Sequence, residues 1–215
     1  MEPVTAFGKQ FEPGEKPLPD DETAAQMYRL AQSVLTQAGY DHYEISNYAR
    51  PNYQCRHNRV YWKNQSYYGF GMGAASYTNG QRFSRPRTRA TYYAWVKDYL
   101  QSGSVDCPQT SERDRFLEIL MLGLRLTEGV KLSQLNVSSA RIEQLLQTLE
   151  PYFHQQWVVG LDHQGKILSF LDQKNFDKIK AVNSIDAITL SDPNGFLFSN
   201  TVLTALFQVF KDDLD

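Results

Sequence analysis

Between Glu44 and Asp98 the chain carries no acidic residue, while Arg50, Arg56, Arg59, Lys63, Arg82, Arg85, Arg87, Arg89 and Lys97 give nine positive charges. The same stretch holds twelve of the 28 aromatic residues, among them Tyr53, Tyr61, Trp62, Tyr67, Tyr77, Tyr92 and Trp95. Cationic heads beside flat apolar faces suit a planar anionic ligand, either nucleic-acid bases with phosphate or a tetrapyrrole with propionates. The plainer reading is a solvated basic face whose aromatic rings belong to the core.

The chain has 215 residues, 41% of them hydrophobic and 21% charged, with a formal net charge of -2. That is one large domain or two small ones, and such a length buries roughly 70% of its unfolded surface without a disulfide or metal staple. From Ser111 to Asp215 the charge balance reverses to ten basic and fourteen acidic residues. No run approaches the roughly 18 apolar residues of a membrane span and no signal-like leader opens the sequence, so a soluble, cytoplasmic protein is expected. Cys55 and Cys107 lie far apart with no CxxC or Cys/His pattern, which reads as reduced thiols, Cys55 as a buried and inert one. Two cysteines cannot by themselves hold an iron–sulfur cluster.

Proline-rich residues 1–19 read as an irregular lead-in. Asp20, Asp21 and Glu22 then place negative charge at a helix start. Ala24, Met27, Tyr28, Ala31, Val34, Leu35 and Ala38 recur at helical spacing before Gly39. Tyr40 to Tyr48 predicts one short strand, and the glycines at 69, 71, 73 and 80 predict a loop-rich region to about Arg89. A helix near 92–101 and a linker from Gly103 to Pro108 follow. In the second half, Ser111 with Asp114 opens a helix through Phe116, Leu117, Leu120 and Leu124. Ile142 to Phe153 gives another, Trp157–Gly160 and Ile167–Phe170 flank a turn, Ala187–Leu190 gives a strand, and 200–210 a closing helix. Helices followed by a two-stranded wing describe a winged-helix-like domain. A phosphate-binding face needs Lys or Arg, and this one offers Arg141 against Glu143 and Glu150, so no nucleic-acid partner is expected.

The densest chemistry is Cys55-Arg56-His57-Asn58-Arg59-Val60-Tyr61-Trp62, where an imidazole able to ligate haem iron precedes two aromatic rings. His42, His154 and His163 read as hydrogen-bonded structural residues. With Leu18-Pro19-Asp20-Asp21, Ala38-Gly39-Tyr40, Tyr43-Glu44-Ile45-Ser46-Asn47-Tyr48-Ala49-Arg50-Pro51 and Tyr68-Gly69-Phe70-Gly71-Met72-Gly73-Ala74, this segment resembles the HemW haem chaperones. HemW is related to HemN, the oxygen-independent coproporphyrinogen III oxidases that use radical S-adenosylmethionine chemistry. Arg113 to Gly129 resembles the start of that family's C-terminal domain.

The resemblance implies an α/β plus α+β fold. Residues 1–89 would supply the last helix and strand of a partial (β/α) barrel with the HNxxYW segment, residues 90–110 a connecting helix and linker, and residues 111–215 the HemN-type winged-helix-like domain. It implies haem as ligand, His57 as the metal contact, and Asn58, Tyr61 and Trp62 completing the haem-binding motif, with Tyr61 and Trp62 expected to pack on the macrocycle. Charge adds Arg85 and Arg87, among the arginines from 82 to 89, as partners for propionates. The family's 4Fe-4S cluster and S-adenosylmethionine depend on a CxxxCxxC motif that this sequence lacks, and Ala75 stands where many relatives carry a histidine. Three readings therefore remain. The first is a haem chaperone passing haem to an acceptor haemoprotein, which could itself sit at a membrane, with no catalytic residue assigned. The second is a radical S-adenosylmethionine enzyme of porphyrin biosynthesis without its cluster ligands. The third is a winged-helix interaction module.

Overall fold

The computed structural model describes residues 5–11, 14–15, 18–103, 110–168 and 184–211. After a short helix α1 (Ala6–Gln10), helix α2 (Asp21–Gln37) starts at Asp20, whose carboxylate accepts the Thr23 N–H at 2.7 Å. The expected apolar stripe is only partly covered. Tyr28 packs against the core, whereas Met27 and Val34 remain more than half exposed.

The stretch expected as one strand is a hairpin. Strand β1 (Asp41–Glu44) pairs antiparallel with β2 (Asn47–Ala49), with an irregular register between His42 and Glu44. Two side chains close its turn: Asn47 donates to the Glu44 carboxylate and the Tyr28 hydroxyl donates to the Ile45 carbonyl. This turn also binds the chain to its second half. Ile45 N–H donates to the Arg125 carbonyl at 2.9 Å, and Thr127 N–H to the Tyr43 carbonyl at 3.3 Å.

Helix α3 (Arg56–Trp62) lies where no helix was expected. The region read as loop contains a second hairpin, β3 (Ala75–Thr78) with β4 (Gln81–Ser84), in which Tyr77 also bridges Tyr67. Its turn residues Asn79 and Gly80 both have positive φ, 53° and 74°, the backbone that a tight hairpin of matching twist requires. Helix α4 (Arg89–Ser102) follows, capped by Thr88 and stopped by Gly103 at φ 67°.

The second half carries the core. Helix α5 (Glu112–Gly123) is capped by Ser111, whose hydroxyl accepts the Asp114 N–H as the sequence predicts. Strand β5 (Val130–Lys131), a 3-10 turn (Leu132–Leu135), helix α6 (Ser139–His154), strand β6 (Val158–Leu161), strand β7 (Ala187–Leu190) and helices α7 (Asn194–Leu197) and α8 (Ser199–Phe210) complete it. The sheet runs in the order β5-β7-β6, antiparallel throughout. Phe116, Leu120, Leu124, Leu145, Leu149, Phe153, Ile188, Phe196, Val202 and Phe210 are each no more than 1% exposed. Each such side chain contributes about 1.5–3 kcal/mol by leaving water. Of the expected second wing strand, Ile167 forms a single bridge to Leu161. Ser169 and Phe170 lie outside the described residues, as does most of the expected linker with Cys107.

Candidate functional site

Helix α3 presents its motif on two sides. His57, its second residue, is exposed, and one turn later Tyr61 meets the imidazole edge to face at 4.8 Å and 89°. Tyr61 in turn packs on Tyr67 at 4.5 Å, and Tyr67 lies against Tyr77 of β3. A residue five positions along a helix is rotated about 140° from the first, so Trp62 cannot share the His57 face. Trp62 is turned toward the second half instead, with the Arg125 guanidinium 5.5 Å from its ring and its indole N–H buried without a partner. Asn58 is half-buried between these two sides.

Arg85 and Arg87 stand on the connection from β4 to α4. Arg85 donates to the Ser76 hydroxyl at 3.0 Å, and its guanidinium lies 5.3 Å from the Trp95 ring. Arg87 is exposed beside Gly73. Among the described residues no hydrogen bond or ring contact joins either arginine to His57. The basic stretch is partly neutralised across the chain. Arg59 and Lys63 both bind Glu128, at 2.7 and 3.1 Å, and Arg82 binds Glu118 at 2.7 Å. Arg50, Arg56, Arg85, Arg87, Arg89 and Lys97 have no ion pair among the described residues. These six are the charge left over for an anion.

Cys55, expected to be buried, is an exposed thiol immediately before α3, and its backbone N–H donates to the Tyr43 hydroxyl at 3.3 Å. Burial pushes that hydroxyl above its ordinary pKa. Glu44 is 1% exposed, with one carboxylate oxygen on Asn47 and the other unpartnered. Sequence reasoning also passed over a cavity of about 520 Å³ behind Trp62, walled by Tyr77, Ile119 and Leu126 and reached by Arg115 and Lys131. Arg115 lies in the Arg113–Gly129 segment that carries the family resemblance, but nothing local in the sequence points its side chain at a cleft.

Residues 110–164 match the HemN C-terminal domain family. The Heme chaperone HemW of Synechocystis sp. is 42% identical over 99% of this chain and 50% of its own length. The Heme chaperone HemW of Bacillus subtilis is 31% identical over 78% of this chain and 46% of its own. Among solved structures, the coproporphyrinogen III oxidase HemN from Escherichia coli, a radical SAM enzyme, superposes over 99% of this chain and 46% of that one. The TM-score is 0.62 at 14% identity, a likeness of fold. The chain thus spans about half the length of these relatives. It belongs to the family of HemW and HemN proteins, with sequence likeness to HemW running along nearly all of its residues.

Proposed function

We propose that this chain is the haem-handling part of a HemW-like chaperone, which binds haem as cargo and yields it to an acceptor protein. The observation that carries this reading is the exposure of His57: an imidazole held edge-on by Tyr61 at 4.8 Å, at the solvent side of α3, is open to an iron tetrapyrrole. Tyr61 offers an aromatic edge to the macrocycle, while Trp62 anchors α3 from behind through Arg125. Arg85 and Arg87, both without an ion pair among the described residues, belong to the surplus of charge that would meet propionates. In the same reading α2 and β1 are the last helix and strand of a partial barrel, and α5 to α8 with their three-stranded sheet are a winged-helix-like domain.

Titration with haem tests it. The unaltered chain should shift the Soret band, and His57→Ala should lose most of that shift. A variant that keeps the full shift would remove His57 from the site. Reversing Arg85 and Arg87 to Glu should weaken binding, with a smaller difference at high salt as the charges are screened.

The HemN-like fold favours a second reading, a radical enzyme of porphyrin biosynthesis. A three-cysteine iron–sulfur cluster does not fit the donors of this chain, whose two cysteines are the exposed Cys55 and Cys107, far along the sequence from it. Iron and sulfide assays after anaerobic reconstitution separate the two readings, a stoichiometric cluster favouring the enzyme.

A further inference from the structure

We propose that the cleft between Trp62 and Arg115 is a binding site for a small apolar monocarboxylate, separate from the His57 face of α3. Its volume of about 520 Å³ lies within the range of small-molecule sites, and one wall is apolar, from Trp62, Tyr77, Ile119 and Leu126, while Lys63, Asn64, Glu128 and Lys131 contribute polar lining. Three polar groups of the lining lack a partner among the described residues: the Trp62 indole N–H, the Asn64 side-chain carbonyl oxygen and the Arg115 guanidinium. The first two are enclosed by protein, whereas Arg115 is exposed at the cleft and is the group a ligand reaches. The Arg115 guanidinium has no ion pair among the described residues.

The surrounding charges select the ligand. Glu118 is taken by Arg82 at 2.7 Å, and Glu128 is shared by Arg59 and Lys63. Among the described residues neither carboxylate is ion-paired with Arg115. The guanidinium fork matches a carboxylate, which carries a single charge on two oxygens, and the ring of Trp62 offers its apolar face beside it. Inorganic phosphate has no apolar body to lie against Trp62, Tyr77, Ile119 and Leu126.

The turn of the second hairpin keeps the mouth open. Gly80 has φ 74°, and a Cβ there would stand 3.2 Å from an Arg115 Nη atom. The glycine therefore leaves the guanidinium room to lie across the opening.

The probe is 2-naphthoate, an apolar ring with one carboxylate, added to the 15N-labelled 215-residue chain. The indole N–H resonance to follow is the one that vanishes in Trp62→Phe; should that variant not fold, Trp95→Phe and Trp157→Phe assign it by elimination. Naphthoate should shift this resonance in a saturable way. Arg115→Gln, at an exposed position, should keep the melting temperature and weaken binding about tenfold or more. The uncharged 2-naphthamide should bind weaker by a similar factor. The proposal fails if millimolar naphthoate leaves the Trp62 resonance in place, if Arg115→Gln binds as well as the unaltered chain, or if the amide or inorganic phosphate occupies the cleft as tightly.

Discussion

Nδ1 of His42 stands 2.6 Å from a carboxylate oxygen of Asp192, joining the first strand to the turn after β7 across 150 positions of sequence. The imidazole is 4% exposed and lies flat on Tyr48 at 4.0 Å, while the other Asp192 oxygen accepts a bond from Gln32 at 3.0 Å. One carboxylate thus holds α2 and β1 together on the C-terminal core. Asp192→Ala leaves a buried ring nitrogen unpaired, and should cost about 1–3 kcal/mol. Urea unfolding of Asp192→Ala, His42→Ala and the double variant measures the coupling. Strictly additive effects would mean that the two side chains merely neighbour each other.

Tyr28 supplies the second link in this junction, and it makes the junction sensitive to alkali. Burial raises its pKa strongly, with the negative charge that Tyr48 would carry on ionising and that of Asp192 adding to the effect. Its hydroxyl donates to the Ile45 carbonyl at 2.9 Å. The folded chain therefore holds this proton beyond the pH, about 10, at which an unfolded tyrosine releases it. That contribution is complete below pH of about 10 and fades above it. Tyr28→Phe should cost about 1 kcal/mol at neutral pH through the lost hydrogen bond, and should flatten the decline of stability above pH of about 10. Equal alkaline slopes in the two proteins would argue against a role for Tyr28.

Gly129 is one of the tightest points among the described residues of the second half. Its φ is 65°, and a Cβ there would lie 2.1 Å from the Ile188 carbonyl oxygen, so β5 can enter the sheet only with a glycine before it. Gly165 has a similar φ of 76° with open space around it. Gly165→Ala should cost about 1–2 kcal/mol of backbone strain alone. Gly129→Ala must add displacement of the strand and should cost clearly more. Melting temperatures compare them, and equal losses would show that the Ile188 contact yields easily.

How legible these features were follows from how local their causes are. The caps of α2 and α5 are single side chains, Asp20 and Ser111, followed by helical apolar spacing, and both helices start where those residues stand. Helix α3 has no such spacing, because Val60, Tyr61 and Trp62 are contiguous and its preceding residue Cys55 makes no side-chain cap. The hairpin turn Asn79-Gly80 was visible as a dipeptide but was absorbed into a reading of the whole glycine-rich region as loop. His57 and Tyr61 could be found by motif, whereas the outward and inward sides of that motif depend on the rotation of a helix the sequence did not announce. Arg115 acquires meaning only when β3, β4 and α5 come together.

That rotation gives the sharpest prediction for the motif itself. His57 is exposed and among the described residues its one ring contact is Tyr61, so His57→Ala should leave stability within about 0.5 kcal/mol while removing haem binding. Trp62 packs under Arg125 and walls the cleft, so Trp62→Ala should destabilise the chain by about 2 kcal/mol or more, through lost burial and a lost cation–π contact. Under conditions where both variants remain folded, Trp62→Ala should retain a Soret shift and His57→Ala should not. Thermal melts paired with haem titrations read both quantities on the same samples. If Trp62→Ala abolishes the shift while still folded, the macrocycle reaches past the outer face of α3, and the two-sided division of the helix is wrong.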